Sequence, residues 1–408
     1  MTMKILLINA WGGNRGDEAQ INSLFRLIKG IYPAAIVHIM AFRDEKLNTD
    51  EEMTQIRNRC GTYFYSSLNY SFNKHINSYK CRSVVSFINK IADRPSFLKK
   101  YDLIISSPQG PSIGDMYDLK ARTLYPLGYA KEYGIPYCIA GVSMGPFMPI
   151  SKDDDYVFDV LQGAGGIIVR EDISVKYLKD KYPRLNNVIS SIDVVFATDV
   201  NIMTKNPTLN DQYQLFCETI GPGSIGACIS LTPPKDPSNY FNKDEYIAKM
   251  ILFFDFVIEY TGRALILLPH LYVDMPALLT IKNDARNADK ISILPEYFDS
   301  DFQQDFIKNH LEFFIASRYH PTVFSIKAET PFLCIKNQFK AEGLLSKLKL
   351  DSDACWQDDS LGVMKETLVK CWTGRTDDIG RIKTAHRTAR EEALEYGRLL
   401  TKFLKSLN

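Results

Sequence analysis

The sequence predicts an α/β protein of two domains, each a parallel sheet covered by helices, with a cleft between them and a C-terminal helical tail. Three observations predict it. The chain has 408 residues and is 45% hydrophobic, enough for two cores and long for one. Short apolar runs recur, each followed by a loop rich in Gly, Pro or charge and then by an amphipathic segment. A polar, turn-rich, poorly periodic stretch, DVNIMTKNPTLNDQYQLFCETIGPGS, interrupts the pattern at residues 199–224.

In chain order, KILLINA leads through WGGNRGDEAQ into INSLFRLIKGI. DLIISS leads to PQGPSIGD, PYCIAGVS to MGPF, and GGIIV to REDISVKYL. After the break, GACISL leads to TPPKDPSNY, ALILLP to HLYVD, FFIAS to RYHP, and PFLCI to KNQFKAEG. Near-continuous apolar runs, where a half-exposed strand would alternate, mark strands buried on both faces. The reading divides the chain into residues 1–210, residues 211–376 and a tail, 377–408. The tail reads as one helix because it has no internal proline, and it is expected to pack back across the domain junction. In such sheets ligands bind beyond the carboxyl ends of the strands, so the loops just quoted and the cleft are where chemistry is sought.

Bulk properties exclude several classes. Lys and Arg number 49 against 48 Asp and Glu, a net charge of +1, so nucleic acid is not an expected partner. No apolar run is long enough to span a bilayer, and MTMKILLINAWGG reads as a strand running into glycines, not as a leader. The eight cysteines form no C-x-x-C pair and several sit inside apolar runs; reduced core residues and a cytoplasmic location are expected. No H-x-x-x-H, G-x-S-x-G or acidic cluster with ligand spacing occurs, which argues against a metal site and an α/β-hydrolase. Residues 71–100 carry seven Lys or Arg against one acid, Asp93, with apolar residues compatible with one helical face. This is either a solvated basic face or a segment that rests on an anionic membrane surface.

The strand ends carry the candidate site residues. In FFIASRYHPTVFS, Arg318 and His320 follow an apolar run and Pro321 suits a first helical turn. An arginine fork, an imidazole and a helix N-terminus together fit a phosphate or carboxylate ligand; the alternative is a surface arginine and a capping histidine. Arg170 repeats the layout after GGIIV, with a salt bridge to Glu171 or Asp172 as its alternative. Lys340 adds a cation after PFLCI, and His270 ends ALILLP as either a site residue or a structural histidine. WGGNRGDEAQ fits neither G-x-G-x-x-G nor a P-loop; its Asp17 either caps a helix or meets sugar hydroxyls. Asp115, in QGPSIGD, is the carboxylate of that loop with a ligand role.

GNRGDEA, GVSMGPF, VREDISVKYL, LLPH…D, SRYHPTVFSIKAETPFLCI and KAEG, in this order over residues 4 to 350, resemble the polysaccharide pyruvyl transferase family. The resemblance implies two Rossmann-like domains in a GT-B-like arrangement. It also implies transfer of the enolpyruvyl unit of phosphoenolpyruvate to a sugar diol as a cyclic pyruvate ketal. It places the donor clamp on Arg170, Arg318 and Lys340, and His270 is taken as a further substrate-binding residue from its place at a strand end. His320 is then the general acid/base, and Asp17 or Asp115 orients the acceptor. Phosphoenolpyruvate is a co-substrate, and no cofactor is expected. Pro321 departs from the small residue usual there, and the loop 108–115 carries two prolines where the family is richer in glycine. The expected setting is bacterial capsule, exopolysaccharide or cell-wall synthesis, with a free or lipid-diphosphate-linked acceptor and contact with the inner membrane surface. The rival readings are a nucleotide-sugar glycosyltransferase using Glu296 to hold the ribose, and a non-catalytic glycan-binding protein.

Overall fold

The computed structural model describes residues 2–10, 14–41, 63–65, 96–108, 113–114, 120–149, 154–202, 207–233 and 241–406. The chain forms two compact units. Residues 1–13, 17–198 and 391–408 make the first, and residues 14–16 and 199–390 the second.

The first unit carries β1 (Lys4–Ala10), β2 (Ile36–Ala41), β3 (Tyr63–Tyr65), β4 (Leu103–Ser106), β5 (Tyr137–Val142), β6 (Ile167–Val169) and β7 (Val188–Ser190). Their order is β3-β2-β1-β4-β5-β6-β7, and each pairing is parallel. Successive side chains of a strand point to opposite faces, and β1 buries both. Leu6 and Ile8 pack with residues of α2 (Lys120–Glu132) and α3 (Asp154–Gly163). Ile5 and Leu7 pack with Ile21, Leu24 and Ile28 of α1 (Arg15–Ile31). This double burial is why ILLIN shows no alternation. Each fully buried large aliphatic contributes about 1.5–3 kcal/mol. α4 (Asp172–Lys181) follows β6.

The second unit repeats the plan. β8 (Ser224–Ala227), β9 (Leu265–Leu267), β10 (Ile291–Ile293), β11 (Leu311–Ala316), β12 (Phe332–Lys336) and β13 (Ala354–Trp356) form a parallel sheet in the order β10-β9-β8-β11-β12-β13. Both sheets reverse direction beside their first strand, the switch point of a doubly wound fold. The helices are α5 (Pro207–Thr219), α6 (Lys243–Thr261), α7 (Met275–Asp284), α8 (Ser300–His310), α9 (Tyr319–Ala328), α10 (Phe339–Lys347) and α11 (Leu361–Ser406). Helix starts follow local chemistry. Asn242 caps α6 by accepting from Asp244 N and Glu245 N, and Asp299 caps α8 by accepting from Asp301 N and Phe302 N.

Two boundaries differ from the sequence reading. The division falls between Thr198 and Asp199, not near residue 210, because α5 belongs to the second unit. Tyr213 of α5 packs on Phe298 and Phe302 at 5.2 and 4.7 Å between ring centroids, and its hydroxyl donates to Asp305 at 2.8 Å. The terminal helix starts at Leu361, well before 377, and runs 46 residues. Its residues through Arg390 group with the second unit and those from Glu391 with the first. Cys138, Cys217, Cys228, Cys334, Cys355 and Cys371 are buried free thiols, while Cys60 and Cys81 lie outside the described residues.

Candidate active site

The carboxyl ends of β8, β9, β11 and β12 stand at one edge of the second sheet, and the predicted residues of this unit lie in the loops that leave it. Arg318 follows β11 as the N-cap of α9, with φ −146° and ψ 167°. Its side chain makes no cap hydrogen bond, so it does not cover the amides of the first turn. Instead Nη2 donates to Asp274 Oδ1 at 2.8 Å and Nε to the Ile229 carbonyl at 3.2 Å. Nη1 stands 3.5 Å from Thr232 Oγ1. Asp274 in turn accepts from Leu271 N at 2.9 Å. Burial pushes the Asp274 carboxyl up, and the charge of Arg318 opposes this. The Leu271 and His270 backbone N–H groups oppose it as well.

Two imidazoles adjoin this pair. His270 and His320 are buried, with ring centroids 6.3 Å apart and planes 24° apart. Phe324 flanks both, and Tyr319 meets His320 edge-on at 5.1 Å. The His270 imidazole is held well below its usual range, first by burial and then by the charges of Arg318, His320 and Arg15. It is neutral at neutral pH. Lys340 is buried in the first turn of α10, whose N-cap Gln338 also makes no side-chain cap bond. Burial pushes the Cys228 thiol up to about 12, so it stays protonated, and its sulfur accepts from Ser317 N at 3.2 Å.

Residues 14–16 complete this edge. Asn14 forms an isolated bridge with Leu271, and Arg15 N donates to the His270 carbonyl at 3.1 Å. Gly16 leaves no room for a Cβ, which would fall onto the His320 ring. The Arg15 guanidinium donates to the Glu296 carbonyl and lies 4.9 Å from the centre of the Tyr272 ring. The Glu296 side chain is exposed.

The sequence reading gave no role to Arg15 or Asp274. Both lie in quoted stretches, GNRGDEA and LLPH…D, but their partners are set by the fold. Among the first unit's candidates, Arg170 is buried at the end of β6. It donates to Glu171 at 2.8 Å, to Asp193 at 3.0 Å and to Ser143 at 3.0 Å. Asp17 is buried in the first turn of α1, where a carboxylate favours the helix N-terminus. Asp115 lies outside the described residues, as does the basic segment except residues 96–100. An open depression of about 640 Å³ in the first unit, lined in part by Phe147, Phe158, Tyr177 and Tyr182, contains none of the candidates. Among the described residues no three His, Cys, Asp or Glu side chains are grouped to hold a metal.

Two doubly wound parallel sheets in succession, closed by a long terminal helix, define a GT-B-like fold. Solved structures agree. UDP-GlcNAc 2-epimerase from Methanocaldococcus jannaschii matches with TM-score 0.61 and 12% identity, over 98% of this chain and 100% of that one. The Neisseria meningitidis UDP-GlcNAc 2-epimerase bound to UDP-GlcNAc matches with TM-score 0.60 and 9% identity, over 99% and 100%. A glycosyltransferase from Rickettsia africae matches with TM-score 0.53 and 10% identity, over 100% and 97%. At these identities the likeness is one of fold. The family model described as polysaccharide pyruvyl transferase matches residues 14–338, and the chain belongs to that family of transferases. No curated protein matches it.

Proposed function

We propose that this enzyme transfers the enolpyruvyl unit of phosphoenolpyruvate to two hydroxyls of a sugar, forming a cyclic pyruvate ketal and releasing phosphate. The observation that carries this reading is Arg318, oriented by Asp274 at a helix start that its side chain leaves uncapped, beside two buried imidazoles. A donor bearing phosphate and carboxylate needs fixed cations of matched geometry. Arg318 and Lys340 supply them at this edge. The resemblance adds Arg170, which stands in the first unit between Glu171 and Asp193.

His320 acts as the general acid in this reading. It delivers a proton to the donor methylene, C3, while one sugar hydroxyl adds to C2. The bond from C2 to the phosphate oxygen then breaks, phosphate leaves, and the second hydroxyl closes the ring on C2. Of the two hydroxyl protons, one restores the imidazolium and the other departs with phosphate. His270, held neutral, contributes a hydrogen-bonding imidazole without adding charge. Asp17, covalently next to Gly16, is the carboxylate we assign to the acceptor hydroxyl. The acceptor is a sugar of a bacterial surface polysaccharide or its lipid-diphosphate precursor, met at the cytoplasmic membrane face. Among the described residues no helix is long and apolar enough to cross a membrane.

Calorimetry of phosphoenolpyruvate against UDP- and GDP-sugars, for wild type and Arg318→Ala, tests the reading. Selective binding of phosphoenolpyruvate that disappears in the variant is expected. Binding of a nucleotide-sugar in its place would overturn it.

A further inference from the structure

We infer that Asn337 and Ser230 are positioning residues of this site: the hydrogen bond between them spans the end of β11 and sets where Arg318 and the first turn of α10 stand. That the site they serve is a donor site rests on the function proposed above; the bridge itself does not.

The sheet order shows what the bridge crosses. β11 stands between β8 and β12, so the loops that leave β8 and β12 start two strand spacings apart, about 9.5 Å. Ser230 lies beyond β8 and Asn337 immediately beyond β12. Asn337 Nδ2 donates to Ser230 Oγ at 2.9 Å, across the place where the chain leaves β11. Both residues are buried. A second tie comes from further along the sheet. Gln357, just beyond β13, donates from N to the Lys336 carbonyl at 2.8 Å and from Nε2 to the Ser230 carbonyl at 2.8 Å. Breaking a buried hydrogen bond leaves its partner unsatisfied, so these ties hold the two loops at a fixed distance.

Arg318 rests on the loop that Ser230 anchors. The chain leaving β11 is met first by Cys228, whose sulfur accepts from Ser317 N at 3.2 Å. The Arg318 guanidinium then donates from Nε to the Ile229 carbonyl at 3.2 Å, and Nη1 stands 3.5 Å from Thr232 Oγ1. Ser230 lies between these two acceptors in the chain, and its Oγ stands 3.4 Å from Thr232 N. Asp274 holds Nη2. On the other side, Asn337 directly precedes Gln338, the N-cap of the helix whose first turn carries Lys340. One bond therefore links the loop that orients the arginine to the turn that carries the lysine. A planar fork matches a carboxylate or phosphate in a fixed orientation, so a small shift of its supports is felt in binding.

The test is read first on Arg318 itself, with no donor bound. Proton–nitrogen NMR follows the Nε–H of Arg318, assigned by its absence from Arg318→Lys, in wild type, Asn337→Ala, Ser230→Ala and the double variant. Faster solvent exchange of that proton is expected in each single variant. The double variant should be no faster than the faster single, because the two changes remove the same bond. Calorimetry should show phosphoenolpyruvate affinity about 10-fold weaker in each single variant, again with no further loss in the double. Folded single variants with unmoved Arg318 exchange would overturn the inference, as would losses that add in the double variant. Loss of urea stability with exchange and affinity unchanged would reduce the pair to a packing role and also overturn it. If the wild type itself does not bind phosphoenolpyruvate, the donor reading fails, and the exchange rates still decide the positioning role.

Discussion

Arg170 and Arg318 look alike in the sequence and differ in the structure. Each follows a buried apolar strand and precedes a helix: Arg170 after β6 and before α4, Arg318 after β11 and before α9. Around Arg170 one guanidinium faces two carboxylates, Glu171 and Asp193, and its side chain is 1% exposed. Asp193 also accepts from Gln20 Nε2 at 2.7 Å and Val195 N at 3.0 Å, and Glu171 from Ser143 at 2.6 Å. Around Arg318 one guanidinium faces one carboxylate, its other close neighbours are uncharged oxygens, and its side chain is 12% exposed. The lesson is that strand-end placement decides where an arginine stands, and the number of acids packed around it decides what it can still hold. Arg318 is paired with one carboxylate, and Arg170 with two.

The largest effect that can break this comparison is on stability. Arg170→Met would leave two buried carboxylates without their cation. Removing one partner of a buried pair costs about 3–5 kcal/mol. Denaturant unfolding should show such a loss for Arg170→Met and a smaller one for Arg318→Met, whose single carboxylate keeps the Leu271 N–H and can take up a proton. Equal losses would mean that exposure and acid count do not separate the two. If Arg170→Lys keeps full stability and loses phosphoenolpyruvate affinity, Arg170 is a donor ligand as well as a network member.

A smaller effect sharpens the second half of the comparison. His320→Ala is expected to cost about 100-fold in turnover, the lower range for a general acid/base, with little change in unfolding free energy beyond the loss of its ring contacts. Single-turnover kinetics at saturating donor would check it. Near-normal turnover would remove His320 from the chemistry and leave His270 as the candidate imidazole.

Much of the fold was legible because parallel strands buried on both faces need unbroken apolar runs, and KILLINA, FFIAS and PFLCI supply them. The positions of Arg318, His320 and His270 were legible for a related reason: each stands just beyond such a run, at the carboxyl ends of the strands. Arg15 and Asp274 were not. Arg15 meets His270, Tyr272 and Glu296, more than 250 positions away, and no local pattern announces those contacts. Asp274 resembles any acid near a helix start until Arg318 is folded against it. The domain boundary was misplaced because residues 199–224 read as polar and poorly periodic, and the partners of Tyr213 at Phe298 and Phe302 come much later. The terminal helix was started late, at 377, although it begins at Leu361. Before 377, Arg375 bonds Glu312 at 2.8 Å and lies 3.9 Å from the Trp372 ring centre, contacts with partners the local sequence does not announce.

The smallest effect concerns acid sensitivity, since Arg318 stands among imidazoles and Arg170 among carboxylates. Burial lowers His270 and also His310 of the same unit below the usual histidine range. Between those lowered values and about pH 6.5 the unfolded chain binds protons that the native imidazoles refuse. Stability therefore rises with pH through that window and levels off above it, by about 1.4 kcal/mol per pH unit for each such histidine. Carboxylates with lowered values, such as Asp255 and Asp199, act in a separate window below about pH 4, where stability falls as they are protonated. Urea unfolding of wild type and His270→Gln at pH 7.5, 6.5 and 5.5 separates the two. The wild type should lose stability over this range, and the variant should lose less than half as much, because the more strongly lowered histidine is gone and His310 is the remaining described histidine with a lowered value. Equal slopes would mean that His270 takes up its proton in the native state. The neutral imidazole beside Arg318 would then be a charged one, and the two arginines would differ in their acids alone.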